Sequence, residues 1–187
     1  TNQRSIYATP LYAEFMDKKI NFIDTPGADD FIGGAYSAFS VCDTGIMVIN
    51  GAQGVEVGTD SYLRLAADHN LPVILAVNQL DSEKADWEMV QNSIKEAVGN
   101  KAVYIQFPVN VGPTFDGFVD VLTMKYYHFK DANGTREDLD IPADLLDQAE
   151  VLRQELIETA AEYDDGLMEK FFEVGALTED EIRKGLN

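Results

Sequence analysis

The sequence predicts an α/β layered domain that gives way, near residue 100, to a smaller α+β unit. Three observations carry this expectation. TGIMVIN (44–50) and LPVILAVN (71–78) are short, nearly all-apolar runs, the texture of strands buried on both faces of a mostly parallel sheet. Stretches of helical period follow them: 58–69 places Tyr62, Leu65 and Ala66 on one face, and 87–98 does the same with Val90, Ile94, Ala97 and Val98. Alternating strands and helices are the signature of layered α/β architecture. From Lys101 the chain turns aromatic and strand-like, then helical.

In order, Thr9–Phe15 alternates loosely and KINFID (19–24) follows a turn at Met16-Asp17-Lys18, which predicts an antiparallel pair. The apolar strands and their helices come next. Residues 102–109 and 118–129 read as strands separated by Gly112-Pro113 and Asp116-Gly117, and 131–140 as a polar, turn-rich stretch. Pro142 suits a first helical turn. Leu145, Ala149, Leu152, Leu156 and Ala160 then form an apolar stripe at near-helical spacing. Thr178-Glu179-Asp180-Glu181 has the form of a capping box opening a last helix. No repeat or low-complexity tract interrupts this order.

The bulk composition excludes several classes. With 187 residues, 45% hydrophobic and 25% charged, the chain is expected to be a soluble globular domain. No apolar run approaches the ~20 residues that span a bilayer, and the start does not resemble a signal peptide, so no membrane role is expected. The first residue is Thr1, not Met, and an excised piece of a longer protein is the expectation. The lone Cys42 forms no internal disulfide, suits a reducing cytoplasmic compartment, and is expected to fill core space ahead of an apolar strand. The net charge of −19 argues against direct nucleic-acid binding, which rests on cationic side chains neutralising phosphates. A solvated acidic face is the simpler reading.

Two motifs lie at predicted strand ends, where open parallel sheets bind ligands. Asp24-Thr25-Pro26-Gly27 offers a carboxylate that can hold Mg²⁺ through water and a glycine that lets backbone approach a phosphate. The same four residues also make an ordinary turn. Asn78-Gln79-Leu80-Asp81 offers a carboxylate able to accept two hydrogen bonds from guanine's ring nitrogen and exocyclic amine. Asn78 can tie neighbouring loops together and Gln79 can lay its stem along the base. The alternative for this motif is a cap on the following helix.

Taken together, the order and content of these segments resemble translational GTPases, above all elongation factor G and its relatives. The resemblance runs through KINFIDTPGADDF, DTGIMVINGAQGVEVGTD, LPVILAVNQLD, VYIQFPVNVGPTFDGFVDVLTMK, IPADLLDQAEVLRQELIETAAEYDDGLMEKFFE and LTEDEIRKGL. It implies a partial P-loop GTPase core over 1–100 and a family-specific inserted subdomain over 101–187. It further implies a GTP-binding factor acting on the ribosome in translocation. Asp24 would be the Mg²⁺-linked carboxylate, Gly27 the sensor of the terminal phosphate, and Asn78, Gln79 and Asp81 the guanine readers. The insertion would face ribosomal stalk proteins.

The sequence departs from that family in four places. No glycine-rich loop ending in Gly-Lys-Thr is present, and the family's final guanine-contacting motif is absent as well, so this chain alone is expected to bind GTP weakly or not at all. Arg4-Ser5-Ile6-Tyr7 aligns with the family's Arg-Gly-Ile-Thr and puts a phenol where a Mg²⁺-holding hydroxyl is expected, with Thr9 as a substitute. Ala28 stands where the family carries a water-positioning histidine. No catalytic residue is therefore assigned, and slow hydrolysis is the expectation unless another residue supplies that contact. The alternatives are a hydrolysis-deficient, GTP-dependent ribosome-binding module, a related ribosomal protection or release factor, and an unrelated α/β domain. His69 is expected at a helix end and His128 in packing or at the surface, and no spaced His/Cys set suggests zinc.

Overall fold

A computed structural model of the chain describes residues 5–27, 29–131, 133–162 and 164–186. Ala28 and Arg4 lie outside these residues. The chain divides into two compact units, Thr1–Asn78 and Gln79–Asn187.

In the first unit, β1 (Thr9–Phe15) and β2 (Lys18–Asp24) pair antiparallel, with Phe15 opposite Lys18 and Thr9 opposite Asp24. Met16 and Asp17 both take positive φ, 49° and 58°, the conformation that lets a two-residue turn follow the twist of a hairpin. A short 3-10 turn, Asp29–Phe31, leads into α1 (Ile32–Phe39). The sequence reading missed α1 because Gly33 and Gly34 weaken helical propensity. Burial of Ala35 and Ala38 stabilises it, and Gly34 lets the helix approach the preceding loop. A Cβ there would lie 3.3 Å from Pro26 Cδ.

β3 (Gly45–Asn50) and β4 (Val73–Asn78) pair in parallel, Gly45 with Val73 through Asn50 with Asn78, and α2 (Val57–Asp68) connects them. This is the expected βαβ unit. The helix ends through Asn70, in the left-handed region at φ 52°, with Leu71 N–H donating to Ala66 O at 2.9 Å. Burial on both strand faces does not hold. Met47 and Ile49 are buried, whereas Ile46, Val48 and Ile74 are exposed, because the described residues cover one face of this two-stranded sheet. Cys42 is half-buried, not a core residue.

In the second unit, α3 (Trp87–Val98) matches its predicted span. A four-stranded antiparallel sheet follows, ordered β5 (Gln106–Pro108), β6 (Gly117–Asp120), β7 (Lys125–Phe129) and β8 (Arg136–Leu139). The predicted strand 102–109 shortens to β5, 118–129 is two strands joined at Met124 (φ 52°), and the stretch read as polar turn contains β8. Gly117 is required by close packing: a Cβ would fall 2.2 Å from Tyr127 O across the strand pair. Three helices close the chain: α4 (Leu146–Glu162), α5 (Asp165–Val174) and α6 (Glu179–Gly185).

Pro142 precedes α4 in a turn in which Leu145 N–H donates to Pro142 O, 2.9 Å, so it is not in the first helical turn. The predicted stripe does face the core. Ala149, Leu156 and Ala160 are fully buried, with Leu145 and Leu152 packed beside them against Phe107, Val119, Leu167 and Ile182. The aromatic run of β7 stacks within its own sheet, Tyr127 edge-on to Phe118 at 5.5 Å and Phe129 at 5.8 Å from the same ring. No helix among the described residues is long and apolar enough to cross a membrane.

Candidate functional site

The first motif leaves β2 at its last residue. Asp24 is exposed, and its Oδ2 accepts a hydrogen bond from Ser5 Oγ at 2.9 Å. Pro26 is fully buried, and its carbonyl accepts from the Tyr62 hydroxyl of α2 at 3.0 Å. One residue on, Gly27 is exposed, and a Cβ placed there would meet nothing within 4 Å. No acceptor for the Gly27 N–H exists among the described residues. The loop therefore combines an anchored proline, an open glycine donor and an oriented carboxylate.

The second motif leaves β4. Asn50 and Asn78 end their parallel strands side by side, and Gly51 N–H donates to Asn78 O at 2.8 Å. The Asn50 side chain accepts from Ala52 N–H, 2.8 Å, closing the turn after β3. Asn78 belongs to the first unit and Gln79 opens the second. Gln79 takes φ 60°, and its carbonyl accepts from Ser82 N–H at 3.1 Å, so Leu80 and Asp81 form the turn. Leu80 O accepts from Gly112 N–H at 2.7 Å, pinning that turn within the second unit.

The helix-cap alternative for this motif fails. Asp86 caps α3, its Oδ1 accepting from Met89 N–H at 2.9 Å. Asp81 is exposed, and its carboxylate holds no hydrogen bond or ion pair among the described residues.

The elongation factor Tu GTP-binding domain profile matches residues 1–184. The chain belongs to this family. It is also similar to a solved structure of a Thermus thermophilus protein, ttk003000868, with a TM-score of 0.85 at 25% identity over 97% of this chain. The chain spans 27% of the length of that protein.

The loop after β2 offers two groups of different chemistry. An exposed carboxylate with one hydrogen-bond partner suits a water-mediated link to Mg²⁺, which gives up its hydration shell reluctantly. A glycine donor with open space over its Cα suits a phosphate oxygen. Within the described residues no cluster of three His, Cys, Asp or Glu side chains could hold a metal by itself.

Ser5 lies in an irregular segment ahead of β1, and Tyr62 falls on the apolar face of α2. Nothing local signals either bond. Outside the two motifs, the polar side chains of the sheet serve the fold. Tyr126 donates to Asp116 Oδ1 at 3.0 Å, and burial, then that hydrogen bond, pushes its phenol up to about 12. His128 in β7 lies 3.8 Å from the same carboxylate. His69 sits at the C-cap of α2, where expected, with its ring edge-on to Tyr36.

Proposed function

We propose that this GTP-binding domain is the core, with the family insertion, of an elongation factor G-like protein that acts on the ribosome during translocation. Residues 1–100 carry the nucleotide-facing segments and 101–187 form the inserted subdomain, which faces stalk proteins. Asp24 holds Mg²⁺ through water, the Gly27 N–H meets the terminal phosphate, and Asn78, Gln79 and Asp81 read guanine. Bound Mg²⁺ would offset phosphate charge.

The observation that carries this reading is the state of Asp81. The following helix is capped by Asp86, which leaves the Asp81 carboxylate exposed with both oxygens open. A carboxylate accepts hydrogen bonds and donates none, so it matches guanine's adjacent ring N–H and amine and rejects adenine's edge.

Asp81→Asn tests the assignment in the intact protein. An amide replaces one acceptor by a donor, which suits xanthine, whose position 2 carries an oxygen. GTP affinity is expected to fall by about 10–100-fold, the worth of a hydrogen bond to a charged group, while xanthosine triphosphate binding rises. Equal loss of both nucleotides sinks the guanine assignment.

A second reading has its own support. Ala28 replaces the family histidine, which favours a ribosome-binding module in which GTP is a conformational ligand and turnover is dispensable. Single-turnover GTP hydrolysis by the intact protein with and without ribosomes separates the two.

A further inference from the structure

We propose that Tyr62 is a positioning residue that sets the direction of the phosphate-sensing Gly27 N–H, and through it the preference for GTP over GDP. The Pro26 carbonyl and the Gly27 N–H belong to one peptide group. That group is planar, and in the trans form its C=O and N–H point in opposite directions; the described residues contain no cis peptide. A hydrogen bond that holds one end therefore aims the other. The Tyr62 hydroxyl donates to Pro26 O at 3.0 Å in a partly buried setting, where water competes poorly for the carbonyl. Pro26 itself is fully buried, so the loop pivots little at that residue.

The other end of the peptide is left open. Gly27 is exposed, its Cα faces free space, and its N–H has no acceptor among the described residues. An anchored carbonyl paired with an open donor is a preorganised anion contact, and preorganisation raises affinity by removing the cost of ordering on binding. Diphosphate and triphosphate differ at the terminal phosphate that this donor would meet, so the hydroxyl acts on their ratio. Neither Pro26-Gly27 nor Tyr62 reveals this in sequence, since the bond spans 36 residues.

The inference rests on the GTP reading above, and Tyr62→Phe in the intact protein tests it. The substitution removes one hydroxyl and keeps the ring. With Mg²⁺ present, the dissociation constants of GDP and a non-hydrolysable GTP analogue are measured by calorimetry. Analogue binding is expected to weaken by about 2–10-fold, the worth of one ordinary hydrogen bond, with GDP binding unchanged. Equal weakening of both nucleotides marks a structural role and overturns the inference, as does an unchanged ratio. Wild type that binds neither nucleotide overturns the GTP reading itself.

A nucleotide-free readout stands beside it. The ¹³C resonance of the Pro26 carbonyl in this chain is expected to move upfield in Tyr62→Phe. Incorporating 3-fluorotyrosine at position 62, a more acidic donor, is expected to move it downfield. A carbonyl shift that ignores both changes also overturns the inference.

Discussion

Ser5 and Tyr62 reach the same loop from chain segments on either side of it, Ser5 holding the Asp24 carboxylate and Tyr62 the Pro26 carbonyl. The place of Asp24 and Gly27 at the end of a strand was legible because a strand running into Asp-x-x-Gly is a local pattern. Their supports were not, because bonds across 19 and 36 residues leave no periodic trace. At this same scale the proposal of slow turnover rests on the residue after Gly27. Ala28 has a methyl where the family places an imidazole, and a carboxylate serving in its stead would add negative charge where negative charge develops. Positioned proton-transfer groups contribute roughly 10²–10⁴-fold in rate, about 3–5 kcal/mol of barrier. Ala28→His in the intact protein is therefore expected to raise ribosome-stimulated GTP hydrolysis by about 10²-fold or more in single-turnover assays. Wild-type turnover already at that level would mean another group positions the water.

Elements were readable where their signals are short-ranged. The box opening α6 forms as read: Thr178 Oγ1 accepts from Glu181 N–H, and Glu181 Oε2 accepts from Thr178 N–H at 2.9 Å. β8 went unread because its residues, Arg136-Glu137-Asp138-Leu139, have a polar composition. Tertiary partners make it a strand. Arg136 lies over the Tyr127 ring at 4.0 Å and Lys130 pairs with Glu137 at 3.0 Å. The α6 cap also sets an acid response. The hydrogen bond from Lys170, then those from Thr178, lower Glu181 from 4.5 to about 2. A carboxyl depressed on folding adds stability above its unfolded value, and that stability fades as pH falls through the folded value. The thermal midpoint followed by circular dichroism is thus expected to drop between about pH 4.5 and 2. Glu181→Gln leaves one oxygen to accept from Thr178, gives up the bond from Lys170 and cannot titrate, so its midpoint should start lower but fall less over that window.

For the whole molecule, net charge and the absent phosphate loop set the expectations. The net charge of −19 disfavours direct contact with RNA phosphates. The amides and lysine of a glycine-rich phosphate loop are not in this sequence. Calorimetry on this chain alone is expected to give weak or no GTP binding with Mg²⁺ present; tight, Mg²⁺-dependent binding would contradict that. By itself the sequence determined the β1–β2 pair, the βαβ unit, the span of α3, the apolar stripe of α4 and the position of the two motifs at strand ends, because hydrophobic period, caps and turn residues act over a few positions. Only the tertiary structure decided that one face of the β3–β4 sheet stays exposed, that Asp86 and not Asp81 caps α3, and that Tyr62 holds the peptide before Gly27. Burial and hydrogen bonding between distant segments depend on which surfaces the folded chain brings together, and no local pattern records that.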